Sequence, residues 1–334
     1  MPVVIDQARV AQVAERLRDL KLQTASYATI EGTLPPLDPP QLREYYFSLC
    51  ALLFDFKGMC GVLDGEEYLG SDLFFALALR AVRNDPQAFT VQRMANIDAR
   101  QFDTIFSVDG NPTHPATPRG AERARLLRET AQALLRSHDT SLERLLSASE
   151  GFLRRDDGRG LLDAFMALPG YYDPHLKKAF VLLKIWQRLG LWEARDKHSL
   201  FIPVDYHLLR VALRSGMVRV EDAAWRQRLR DKSAATAAEE EEIRAAVKQA
   251  YKRVEQLSGI DVFTLDEIFW TLGRSCCHHD RVARCEACDR THCSVTRSFV
   301  YACPGRCLLS VACVGSGDAA YRALSEPVLE TVYY

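Results

Sequence analysis

Residues 168–210 hold Leu168-Pro169-Gly170, then Lys177-Lys178-Ala179, then Pro203-Val204-Asp205-Tyr206-His207-Leu208-Leu209-Arg210-Val211. Pro169-Gly170 marks a turn, and glycine there lets the backbone come close to a partner. Asp173-Pro174 is a helix-start signal. Asp205 follows Ile202-Pro203-Val204 and can cap a helix running through Leu208, Leu209, Val211 and Ala212. Lys177 and Lys184, seven residues apart, share one helical face, whereas Lys178 is rotated by about 100° from Lys177. Such lysines are either solvated surface charges or phosphate-facing ones.

Working outward, the same helical texture continues. Val10, Val13, Leu17 and Leu20 recur at helical spacing, ahead of the turn-forming run Leu34-Pro35-Pro36-Leu37-Asp38-Pro39-Pro40. Tyr45 to Phe56 reads as a dense apolar helix, and Ser71-Asp72 reads as the cap of another through Phe74, Phe75, Leu77, Ala78 and Leu79. Thr90 to Phe106 reads as a short helical pair. Ala121 to Leu135 places Leu126, Leu127, Thr130, Ala131, Leu134 and Leu135 on one face, and Ser141 opens the next helix. The acidic run Glu239 to Glu242 begins a helix, where carboxylates complement the positive end. No strand alternation is evident, so the fold class is all-α.

A chain of 334 residues can bury a substantial core in one large or two packed domains. Its 48% hydrophobic and 26% charged content is ordinary for a globular protein. No apolar run approaches the roughly 18 residues of a membrane span, and no signal peptide is seen, so a cytoplasmic protein is expected. The net charge of -1 excludes a globally basic nucleic-acid binder, and any such contact needs a locally basic face.

Eight of the ten cysteines lie between Cys276 and Cys313. Clustered cysteines in a reducing compartment indicate metal rather than disulfides. Cys50 and Cys60 lie among apolar residues and read as small buried hydrophobes. Thiolates suit a 4Fe-4S cluster or zinc. The candidate ligands are Cys277, Cys285, Cys288 and Cys293, with Cys276, Cys303, Cys307 and Cys313 as an alternative or second set. His278, His279 and His292 leave mixed-ligand zinc open. Arg281, Arg284, Arg290, Arg297 and Arg306 are interleaved with these cysteines, as solvated charges or as phosphate contacts.

The LPG, KKA and VDYHLLRV segments resemble the helix-hairpin-helix DNA glycosylase superfamily of base-excision repair, although the second glycine of that hairpin is absent here. The resemblance implies that Asp205 stabilises the positive charge developing on the sugar, and that Lys177 attacks C1′ or contacts phosphate or sugar. It also implies DNA contacts by Gly170, Lys178 and Arg210. Leu272-Gly273-Arg274 followed by the cysteines resembles the iron-sulfur loop that closes endonuclease III-like members.

A second resemblance, from roughly Tyr45 to Leu272, is to the queuosine salvage hydrolases, in which Asp205 and Asp266 would match two family aspartates. Both families break an N-glycosidic bond. The expected organisation is an N-terminal helix and proline-rich linker at 1–40, a helical catalytic region at 41–272, and a cysteine-rich metal loop with tail at 273–334. The expected function is excision of a modified, bulky base from DNA, with Tyr171, Tyr172, Trp186 or Trp192 stacking on the extruded base and Asp266 also in the substrate site. Hypermodified phage DNA would supply such bases, which points to an antiviral role. The alternatives are a queuosine-type nucleotide N-glycosidase and a noncatalytic DNA-binding protein.

Overall fold

The computed structural model describes residues 2–24, 37–137, 141–281, 283–288, 290 and 293–334. Helix makes up 53% and strand 7% of the described residues, so the all-α class holds and the strands are accessories. Two compact units are formed: Met1–Tyr27 with Phe201–Glu330, and Ala28–Leu200 with Thr331–Tyr334. This division runs across the expected boundaries at 41 and 273.

In the first unit, helix Gln7–Leu20 buries Val10, Val13, Ala14 and Leu17 and packs on helix Ala237–Ser258. The acidic run sits in the first turns of Ala237–Ser258, behind a Thr236–Glu239 capping box. Helix Tyr206–Ser215 packs on Val262–Ser275 and on Ala237–Ser258, and Gly216 ends it in a left-handed conformation at φ 80°. Strand Val3–Ile5 pairs antiparallel with Val218–Val220, with Val3 opposite Val220.

In the second unit, helix Pro39–Cys50 packs on Lys177–Arg188, and Ala99–Ile105 packs on Gly120–Ser137. Phe74 stacks on Phe106 at 4.6 Å, and Phe47, Phe165 and Tyr171 form a mutual ring cluster. Full burial of each large apolar side chain stabilises by about 1.5–3 kcal/mol. The paired short helices Val91–Met94 and Ala99–Ile105, the stripe on Gly120–Ser137 and the Ser141 cap all form as expected.

Four local expectations are corrected. The helix expected over Tyr45 to Phe56 begins earlier and stops at Cys50: Asp38 and Gln41 form a capping box, and Pro39 and Pro40 occupy the first turn, where a missing N–H costs nothing. Residues 34–36 of the proline run lie outside the described residues. Helix Ser71–Asn84 is preceded by Gly70, and no side chain caps it. Cys60 is exposed, on the hairpin Cys60–Leu63/Glu66–Leu69, whose turn places Asp64 and Gly65 at φ 52° and 82°. An Asp-Gly pair is the signature of such a turn. Finally, helix Lys177–Arg188 starts after Asp173-Pro174 rather than at it: Asp173 reaches forward to accept from the backbone N–H groups of His175 and Lys177, at 3.0 and 2.8 Å.

Candidate functional site

Asp205 occupies the N-cap of helix Tyr206–Ser215, and its Oδ1 accepts from the amides of His207 and Leu208 at 2.8 and 3.1 Å. Two backbone bonds fix a carboxylate that is 6% exposed. The carbonyl just before it, Val204 O, accepts from Arg244 Nε and Nη2 at 3.3 and 3.2 Å. Tyr251 donates to Leu208 O at 2.9 Å. Burial, and then the charges of Asp205, Cys277 and Asp266, hold its hydroxyl protonated well above the usual tyrosine range. Asp205 and Asp266 thus act on the same buried tyrosine, and Asp266, on helix Val262–Ser275, is itself buried.

One turn along, Arg210 is fully buried and donates to Cys277 O (2.7 Å), Gly273 O (3.0 Å) and Tyr206 O (3.4 Å). It also pairs with Glu326 at 2.7 Å and meets His207 Nδ1 at 2.9 Å. Arg210 therefore locks the Asp205 helix to the end of helix Val262–Ser275 and to the C-terminal segment. The expected DNA contact by Arg210 is corrected: a guanidinium consumed by internal acceptors cannot reach a phosphate. Burial, and then Arg210 and Arg274, push the His207 imidazole well below its ordinary range, so it stays neutral. Gly273 is required here, because a Cβ would stand 2.6 Å from His207 Cβ.

The lysines lie in the second unit. Lys177 Nζ donates to Leu53 O at 2.9 Å, and Lys178 Nζ donates to Ala51 O and Gly170 O at 2.7 and 3.0 Å. Arg123, fully buried, donates to Leu52 O (2.6 Å), Phe54 O and Asp55 O. Three cations therefore satisfy consecutive carbonyls just past the negative end of helix Pro39–Cys50, which explains why residues 51–56 leave the helix. Burial, and then Lys177, draw the Lys178 amine well below the usual lysine range.

Several expected contacts are corrected by this packing. Lys178, 2% exposed, is a core residue rather than a DNA contact. The Gly170 amide is already given to Thr130 Oγ1 at 2.7 Å, and a Cβ at Gly170 would lie 2.6 Å from that oxygen, so the glycine serves close packing and not phosphate binding. Tyr171 is buried with its hydroxyl on Phe47 O at 2.6 Å, and Trp186 is buried beside Phe165. Neither can stack on an extruded base. Tyr172 is exposed and Trp192 half-buried, so these two remain available.

All eight clustered cysteines are unpaired and belong to the first unit. Among the described residues, no group of three or more His, Cys, Asp or Glu side chains is spaced to hold a metal ion; His292 lies outside the described residues. Cys276, Cys277, Cys285, Cys307 and Cys313 nevertheless line one cavity, together with Arg214. Burial, and then Cys307, raise the Cys285 thiol to about 11; burial, and then Cys307, Cys277 and Cys285, raise Cys313 to about 12. Thiols crowded this way suppress one another's ionisation, and as they stand their spacing is not that of a metal site. Arg281, Arg290, Arg297 and Arg306 are exposed, and Arg284 is half-buried.

Sequence reasoning missed Arg123, Arg244, Arg214 and Glu326. The arginines were detectable: Arg123 shares its stripe with Leu126, Leu127 and Thr130, and Arg244 with Val247 and Tyr251. A charge on a core-facing stripe signals a buried hydrogen-bonding hub. Glu326 carries no local pattern.

Residues 185–298 match the family model described as AGOG, N-glycosylase/DNA lyase, and form a domain of the helix-hairpin-helix DNA glycosylase superfamily. The match contains Asp205, His207, Arg210 and Asp266 but ends on its N-terminal side after Lys177 and Lys178. No curated protein matches the chain. Among the described residues, no helix is long and apolar enough to cross a membrane.

Proposed function

We propose that the chain is a DNA glycosylase that hydrolyses the N-glycosidic bond of a modified base and leaves an abasic site. The observation that carries this reading is a buried aspartate, Asp205, fixed at a helix N-cap inside the segment that matches a glycosylase family. In the proposed reaction the C1′–N bond breaks with its electron pair leaving on the base, and the sugar becomes an oxocarbenium-like cation. The Asp205 carboxylate, oriented by two amides, stabilises that cation. Water then adds to C1′, and the proton it loses ends on the departed base, which completes the hydrolysis. Lys177, with its amine engaged by Leu53 O, does not attack C1′, so no lyase step follows. Tyr172 and Trp192 are the aromatic side chains left to stack on an extruded base.

The exposed arginines of the cysteine segment would supply the local basic face that a net charge of -1 does not. The metal group is proposed as a 4Fe-4S cluster, whose contribution is to fold and pin this segment, with no redox step in the reaction. Unpaired cysteines suit a reducing, cytoplasmic setting. Mass spectrometry of bases released from a panel of genomic and hypermodified phage DNAs tests the reading, and a phage-base substrate would give it an antiviral purpose. Release from a free nucleotide but from no DNA would move the activity to queuosine-type salvage. Release from neither would leave a noncatalytic DNA-binding protein.

A further inference from the structure

We propose that Arg244 and Tyr251 are positioning residues of the reaction, which hold the turn carrying Asp205 at two backbone carbonyls and so set where its carboxylate meets the developing positive charge. The inference rests on the reading of Asp205 above and names what keeps that carboxylate in place.

Both residues belong to helix Ala237–Ser258, where Glu240, Arg244, Val247 and Tyr251 recur at helical spacing and form one buried stripe. That helix packs on Tyr206–Ser215. Val204 is fully buried and stands one residue before the N-cap, outside the helical ladder, whose first bond runs from the Leu209 amide to Asp205 O at 2.9 Å. Its carbonyl instead receives Arg244 Nε and Nη2 at 3.3 and 3.2 Å, a fork of two donors on one oxygen. Arg244 Nε also lies 3.8 Å from Glu240 Oε1, which balances charge across a gap longer than a hydrogen bond. Tyr251 takes the other side of the cap. Its hydroxyl donates to Leu208 O at 2.9 Å, and the amide of the same Leu208 donates to Asp205 Oδ1 at 3.1 Å. The Tyr251 ring packs on Phe269 at 4.4 Å, so helix Val262–Ser275 helps to fix the hydroxyl.

One clamp therefore sits on the residue before Asp205, and the other on a residue that hydrogen-bonds its carboxylate. Two anchors on one helix fix both the place and the rotation of the turn, where a single anchor would let it swing. Stabilising a developing cation requires the opposing charge to be in place before the reaction. A misplacement of about 1 Å can cost about 10²-fold. Arg244→Lys keeps a charge beside Glu240 but cannot present two N–H groups in a fixed fork. Tyr251→Phe keeps the ring and removes only the hydroxyl.

The test measures how tightly the full-length protein binds two DNA duplexes that differ at one nucleotide and require no knowledge of the excised base. One carries a pyrrolidine nucleotide, whose protonated ring nitrogen places a positive charge in the sugar ring, and the other a neutral tetrahydrofuran nucleotide. Wild type should prefer the cationic duplex by about 10²-fold or more, and Asp205→Asn should erase that preference. Arg244→Lys should cut it by about tenfold and Tyr251→Phe by about threefold, with the affinity for the neutral duplex unchanged. A preference that either variant leaves intact, or an equal loss of affinity for both duplexes, removes that residue from the assignment. Wild type without a preference, or a preference that survives Asp205→Asn, overturns the reading of Asp205 and this inference with it. Should wild type bind neither duplex, the free pyrrolidine and tetrahydrofuran nucleoside 5′-phosphates replace them with the same outcomes, and binding of neither phosphate also overturns the reading. Should Arg244→Lys fail to fold, Glu240→Gln, which loosens the guanidinium without removing it, takes its place in the comparison.

Discussion

Replacing Asp205 by asparagine separates the two things this residue does. As an N-cap, its Oδ1 accepts from the amides of His207 and Leu208. An asparagine oxygen can accept both, and asparagine and aspartate rank together as N-caps. What is lost is the negative charge at the positive end of the helix, worth about 0.3–1 kcal/mol, or up to about 2 kcal/mol in a partly buried geometry. The fold should therefore survive. Catalysis should not: removing one electrostatic group aimed at developing charge costs about 10² to 10³ in rate, or about 2.7–4 kcal/mol.

The assay pairs single-turnover base release from the identified DNA substrate with thermal unfolding of the same samples. Asp205→Ala is the control in the other direction, because it removes cap and charge together and should add about 1 kcal/mol of destabilisation to the same catalytic loss. Base release at the wild-type rate by folded Asp205→Asn would exclude a catalytic role for Asp205. Loss of activity by Asp205→Asn and Asp205→Ala only in proportion to their lost stability would equally make Asp205 a cap and nothing more.

Other outcomes follow from the same contacts. Borohydride should trap no covalent enzyme–DNA adduct, and Lys177→Gln should keep base release measurable; a robust adduct that disappears in Lys177→Gln would make this a glycosylase with lyase activity. Arg210→Met breaks a buried ion pair with Glu326 and should cost about 3–5 kcal/mol by denaturant unfolding, whereas an effect under about 1 kcal/mol would show that the pair is not buried in solution. Gly273→Ala forces a Cβ against His207 and should cost about 1–3 kcal/mol. The folded-state pKa of His207 is depressed, so below its unfolded value of about 6.5 the unfolded chain binds the extra proton. Stability should accordingly fall as pH drops from about 6.5 toward the folded value, and His207→Gln should flatten that part of the profile; identical profiles would place the imidazole in solvent.

What the sequence revealed depended on how local the cause was. Helix periodicity, the Ser141 and Asp205 caps and the start of the 237–258 helix are set by residues within a turn or two, so they could be read directly. The end of helix Pro39–Cys50 could not, because the carbonyls just past it, of Ala51, Leu52 and Leu53, are claimed by Lys178, Arg123 and Lys177, which arrive from helices remote in sequence. The same remoteness misdirected the reading of Gly170, Lys178, Tyr171 and Arg210. Glycine, lysine, tyrosine and arginine are the residue types that bind DNA, but they are also those that fill a tight contact, cap a helix end, stack in a core or bind several carbonyls at once, and only tertiary packing decides between the two uses. Asp205 kept its candidacy for a physical reason: the backbone amides that fix its side chain are neutral donors, which hold a carboxylate without cancelling its charge. A residue whose structural duty is met by neutral backbone donors can also do chemistry.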